Sequence, residues 1–189
     1  MSARNGAVRP RSGQRLTFIF RLLDWLTAVT LCVGAAALLL FVVWTPVSVK
    51  SSGVSDFYPG DLVFADKLSK HLFGFSRGDA VVLRSGRTGD GGYRLHIARV
   101  AAFQSEKVVI ADGRVYIGNA LLDESAYAEA FDPSLRAEFI VPTGSIFVLP
   151  DERSDLSLAA VQSYIVPLDD VAGEVRLTAF PITRLKIFR

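Results

Sequence analysis

Hydrophobic positions along this chain fall into two regimes. Trp25 to Trp44, WLTAVTLCVGAAALLLFVVW, is twenty residues long and carries no charge. Twenty helical residues cover ~30 Å, the thickness of a hydrocarbon core. Both ends of the run are Trp, a residue that favours the membrane–water interface. The run is longer than the ~7–15 apolar residues of a cleaved secretory signal, and Thr45 to Lys50 offers no small-x-small cleavage site. Residues 25–44 therefore read as an uncleaved transmembrane anchor. Beyond them the pattern shortens to β-branched and aromatic runs separated by turn signals. These runs predict strands at Asp61–Ala65, Ala80–Leu83, Arg94–Phe103, Lys107–Ala111, Arg114–Ile117, Ile146–Leu149 and Val175–Phe180. Asp112-Gly113 predicts a two-residue hairpin. Gly60-Asp61 and Arg77-Gly78-Asp79 read as turns that launch strands, and Asp90-Gly91-Gly92 as a loop tip. Gly118 to Phe139 is polar and weakly patterned, an excursion with at most one short helix near Glu124–Phe131. Many short strands without alternating helices point to a mostly β domain rather than α/β.

Charge orients the anchor. Arg4, Arg9, Arg11, Arg15 and Arg21 precede it against the single acid Asp24, about +4 (5 − 1). The positive-inside rule places residues 1–24 in the cytoplasm as a basic tail, and residues 45–189 outside it. In a bacterium that is a single-pass protein of the inner (cytoplasmic) membrane. From Thr45 on there are 16 basic and 18 acidic residues (21 − 5 and 19 − 1), so the outer domain is roughly −2. That balance gives no reason to expect nucleic acid, and the loose cluster Arg87 to Arg99 reads as a solvated face. The only cysteine, Cys32, lies in the anchor, which leaves the outer domain without thiols. With His71 and His96 as the only histidines, no metal is expected, and no glycine loop of phosphate-binding type is present. The expectation is no cofactor.

Several marks follow the anchor in order. Ser52-Gly-Val-Ser-Asp-Phe-Tyr-Pro-Gly-Asp61 comes first, and its Gly60-Asp61 leads into Leu62-Val63-Phe64-Ala65-Asp66-Lys67. Then come Arg77-Gly78-Asp79-Ala80-Val81-Val82, the hairpin Lys107–Ile117, and Val141-Pro142-Thr143-Gly144-Ser145-Ile146-Phe147-Val148. Val166-Pro167, Val171-Ala172-Gly173 and Phe180-Pro181 close the series. In this order, across residues 25–189, the chain resembles the type I signal peptidase (leader peptidase) family. The resemblance implies a mostly β fold of signal-peptidase-like coiled antiparallel sheets with one N-terminal transmembrane helix. It also implies a Ser/Lys dyad that removes signal peptides from exported preproteins at the surface of the lipid bilayer. The substrate would bind as an added strand.

Carried over residue by residue, the resemblance puts the nucleophile at Ser52, with Ser51 a rival if the register slips by one. Ser52 follows Trp44 by eight residues, a reach of at most ~28 Å. Around it Gly53 stands where Met is usual, Ser55 for Pro and Asp56 for Thr. The Lys-Arg box aligns through Arg99 and puts Ala98 at the catalytic lysine. Alanine accepts no proton, and the guanidinium of Arg99 does not deprotonate at usable pH. Pro150-Asp151-Glu152-Arg153 keeps the Asp and Arg of the next box. However, Ser157-Leu158-Ala159-Ala160-Val161 replaces the serine that steadies the lysine and the neighbouring Asp–Arg pair. Two other bases are conceivable. His96 lies two residues from Ala98 on one face of a strand, ~6.6 Å away. Lys50, two before Ser52, could donate to an oxyanion or act as base if desolvated. The sequence thus predicts a catalytically impaired, signal-peptidase-like protein that binds peptides or partner proteins. An active serine endopeptidase using Ser52 with His96 or Lys50 stands as the alternative, and a structural subunit of a membrane protein complex as the third reading.

Overall fold

The computed structural model describes residues 12–50, 53–68, 74–87 and 92–188. The chain divides into two compact units, Met1–Val42 and Val43–Arg189. Helix α1, Ser12–Val43, lies in the first but for its last residue. Its segment Phe18–Leu38 is long and apolar enough to cross a membrane, and none of it is buried against protein. The helix stops one residue short of the predicted anchor end. Trp44 instead opens strand β1 (Trp44–Ser48), paired with Asp66 and with its ring 6.3 Å from that of Phe64.

The second unit is built of antiparallel strands. They are β2 (Leu62–Asp66), β3 (Ala80–Arg87), β4 (Tyr93–Ala102), β5 (Lys107–Ala111), β6 (Arg114–Ile117), β7 (Ala120–Leu121) and β8 (Ala137–Ile140). After them come β9 (Ser145–Leu149), helix α2 (Leu158–Ser163), β10 (Ile165–Pro167), β11 (Val171–Phe180) and β12 (Lys186–Ile187). The larger sheet runs β1-β2-β11-β3-β4-β9-β10, with β12 on β11, and the smaller runs β7-β6-β5-β8. All seven predicted strands are present, shifted by a few residues at most except for longer β3 and β11. The fold is the mostly β, antiparallel architecture that the sequence predicts. The polar excursion, read as holding at most one short helix, holds none: residues 125–127 form a turn, and its ends supply β7 and part of β8.

Alternation along the strands builds cores on both faces of the large sheet. Val82 and Ile97 pack with Val47, Val49, Val54 and Phe57 on one face. Val81, Leu83, Ala98 and Val100 pack with Ile146, Val148 and Val171 on the other. A third cluster, including Ile110, Phe131 and Phe147, lies under the smaller sheet. At the hairpin between β5 and β6, Asp112 (φ 53°) and Gly113 (φ 76°) both take positive φ, the twist a two-residue turn requires. Gly173 answers to a different constraint. A Cβ there would lie 2.6 Å from the Asp66 carbonyl oxygen, so β11 approaches β2 this closely only as glycine.

Candidate active site

The site forms where two strands part. β4 and β9 pair through Arg99 and Leu149, and beyond that point they diverge. Gly53 fills the fork. Its N–H donates to the Ile97 carbonyl (3.3 Å), and its carbonyl accepts from the Asp151 N–H (2.5 Å). Ala98 sits at this fork, 2% exposed, inside the apolar cluster with Val81, Leu83 and Val100. A Cβ on Gly53 would come within 2.7 Å of the Pro150 Cβ. The proline ring thus takes space that a side chain at 53 would need.

On the opposite face of β4, Arg99 organises the loop after the fork. Its Nε donates to Asp151 Oδ1 (3.0 Å) and one terminal nitrogen to Asp56 Oδ2 (2.7 Å). The other donates to the Gly78 carbonyl (3.2 Å), and the Tyr127 ring covers the guanidinium at 4.4 Å. Burial opposes the charge on Arg99, but the bonds to Asp56 and Asp151 outweigh it and raise its pKa further. Arg99 is a permanent cation and serves no proton transfer. Asp151 is 2% exposed, and its Oδ2 accepts from both the N–H (2.8 Å) and the hydroxyl (2.7 Å) of Ser55. Downstream, Arg153 pairs with Glu124 (2.8 Å) and donates to the Glu129 carbonyl (2.9 Å). Sequence reasoning missed the ends of these links, Glu124 and Tyr127, because they come from the weakly patterned excursion.

Burial alone would raise the Asp56 carboxyl, but hydrogen bonds from Lys186 and Arg99 outweigh it and hold its pKa below the unfolded value of 3.8. A depressed carboxyl stabilises the fold above its unfolded pKa and loses that contribution as pH falls through its folded one. The stability gap between wild type and Asp56→Asn is therefore expected to be full above pH 3.8 and to close at more acid pH. Thermal melts of both proteins between about pH 2 and 6 measure it. A gap that stays constant across that range would contradict the assignment.

Against the other face of β4 runs a groove of ≈ 510 Å³. Gly53, Leu83, His96, Ala98, Glu152 and Tyr164 are among its lining residues. Ser52, with its rival Ser51, lies outside the described residues, as does His71. His96 is exposed, opposite Leu83, and shares the groove with Ala98. Lys50 is exposed and does not line the groove. Ser157 caps α2 by accepting from the Ala160 N–H (3.3 Å), while Val161 is buried in the core under the smaller sheet. Burial pushes the Tyr164 hydroxyl above its ordinary pKa of 10.0, away from any role as a base near neutrality. His96 is the imidazole among the groove's lining residues.

Comparison with known proteins bears on this geometry. The profile of the family described as "Signal peptidase, peptidase S26" matches residues 22–180. Among solved structures, the chain is similar to a signal peptidase I from Enterococcus faecalis, at 21% identity and a TM-score of 0.41. That match covers 53% of this chain and 95% of the other. No curated protein sequence matches the chain significantly.

Proposed function

The chain belongs to the signal peptidase S26 family, and from that premise we propose a membrane-anchored peptide-binding protein that does not cut by the family's lysine-dependent route. It sits in the bacterial inner membrane with its N-terminus cytoplasmic and its β domain outside. Its groove binds exported preproteins as they emerge at the bilayer surface. One observation carries the reading. The lysine position is Ala98, which clusters with Val81, Leu83 and Val100 and lines the groove. A serine at 52 then has no base at the place the fold provides for one. The retained groove and the ordered Arg99–Asp151 scaffold support binding over a purely structural role in a membrane complex.

Full-length protein in detergent is expected to cleave a preprotein no faster than Ser52→Ala does. A photo-crosslinking side chain at position 96 is expected to capture that preprotein, and one at position 134 is not. Equal, weak capture at both positions would favour the structural-subunit reading.

A second reading has its own support. His96 lines the same groove as Ala98 and Gly53, so a relocated histidine base is available there. Cleavage lost in Ser52→Ala would overturn the binding-only proposal. Comparing His96→Ala with Lys50→Ala would then identify the base.

A further inference from the structure

The loop Gly53–Asp61 is held on its inner side by Arg99 and Asp151, and on its outer side by the end of the chain. Lys186 Nζ lies 2.6 Å from Asp56 Oδ1. Arg184 lies 2.7 Å from Asp61 Oδ1 and stacks 4.7 Å over the Tyr58 ring. The Phe188 ring meets that of Phe57 at 5.1 Å. Four side chains of the loop are thus matched by three of the tail. Asp61 is 1% exposed, so the cation that faces it neutralises a charge already taken out of water.

The tail has the alternation of a strand. Lys186 and Phe188 turn toward the loop, whereas Leu185 and Ile187 are 61% and 74% exposed. Its own hold on the sheet is slight. β12 is two residues long, paired at Leu177–Ile187 and Thr178–Lys186, with one further bond from the Phe188 N–H to the Arg176 carbonyl. A ribbon this short is marginal without side-chain contacts. Loop and tail therefore order each other, since coupling between two elements is reciprocal.

We infer that Ile182–Phe188 is a strap that positions the loop Gly53–Asp61, whose Gly53 lines the groove, with Arg184, Lys186 and Phe188 as positioning residues. The chain of charges Lys186–Asp56–Arg99–Asp151 runs without a break from the tail to β4 and the fork. Asp56, its central link, stands where the resembled family has threonine, so this connection belongs to this chain's own sequence. The inference rests on reading the groove as the functional site. It assigns the strap the task of holding Gly53 and the rest of this loop in register with Ala98 on β4.

Hydrogen–deuterium exchange of the full-length protein in detergent tests it without requiring activity. Lys186→Met is expected to speed exchange about fivefold in peptides covering residues 53–61, the scale of a lost, partly exposed ion pair. Peptides from β5, β6 and β8 should not change. Lys186→Arg should restore slow exchange. Asp56→Asn, which cuts the same bond from the other side, should speed the same peptides, and adding Lys186→Met should then add little. Unchanged exchange at 53–61 in both single variants would overturn the strap, as would a uniform rise in every segment. Failure of the peptide-binding reading shows separately, as absent crosslinks from position 96.

Discussion

Ala98→Lys is expected to raise preprotein cleavage by the full-length protein about 100-fold over wild type, the lower end of what a positioned general base contributes. The site is ready for it in three respects. Ala98 is 2% exposed among aliphatic side chains, so an ammonium there loses hydration and its pKa falls toward neutrality. The groove of ≈ 510 Å³ opens onto the position and gives the longer side chain room. Gly53, the neighbour of Ser52, is hydrogen-bonded to the carbonyl of Ile97, one residue away on β4. The rate should climb with pH as the lysine loses its proton, and Ser52→Ala in the same background should abolish it. What limits the gain is α2. Ala159 and Val161 offer no polar side chain to steady an amine, and the Ser157 hydroxyl is spent on its own helix cap. A variant no faster than wild type would show that a base at position 98 is not enough for cleavage.

The same residues show how far the sequence could be read. The strands were legible because alternation and turn chemistry are local: Asp112-Gly113 forms its hairpin, and β4 buries Ile97 and Ala98 on opposite faces. The family was legible because its boxes are spaced along the chain. Trp44 was misplaced because apolar character does not distinguish the last turn of an anchor from the first residue of a half-buried strand. The register with Asp66 decides that, and it lies 22 residues away (66 − 44). The strap was invisible for the same reason. Lys186 and Asp56 are separated by 130 positions, and neither residue type in its local context signals a partner. The close approach of Gly53 to Pro150 was illegible for that reason too, since 97 positions separate them (150 − 53).

Asp151→Ala is expected to lower the stability of the outer domain by about 3–5 kcal/mol, the range for removing one partner of a buried ion pair. Asp151 is 2% exposed, and its two oxygens serve three donors: Arg99 Nε, the Ser55 N–H and the Ser55 hydroxyl. Alanine would leave part of a guanidinium and a backbone N–H without acceptors, and a stranded buried donor costs more than the bond it made. Asp56 would still hold the other side of Arg99, so the lower half of the range is the better expectation. Asp151→Asn tests the origin of the loss. It keeps an acceptor for Ser55 and gives up the charge, so it should fall between wild type and Asp151→Ala. Ser55→Ala removes only a hydroxyl and should cost about 1 kcal/mol. Urea unfolding of the full-length proteins in detergent ranks the four. An Asp151→Ala loss under about 1 kcal/mol would reduce the Arg99–Asp151 pair to the value of a surface contact. The fork, with Gly53 wedged between β4 and Asp151, would then be held by its backbone hydrogen bonds and by packing alone.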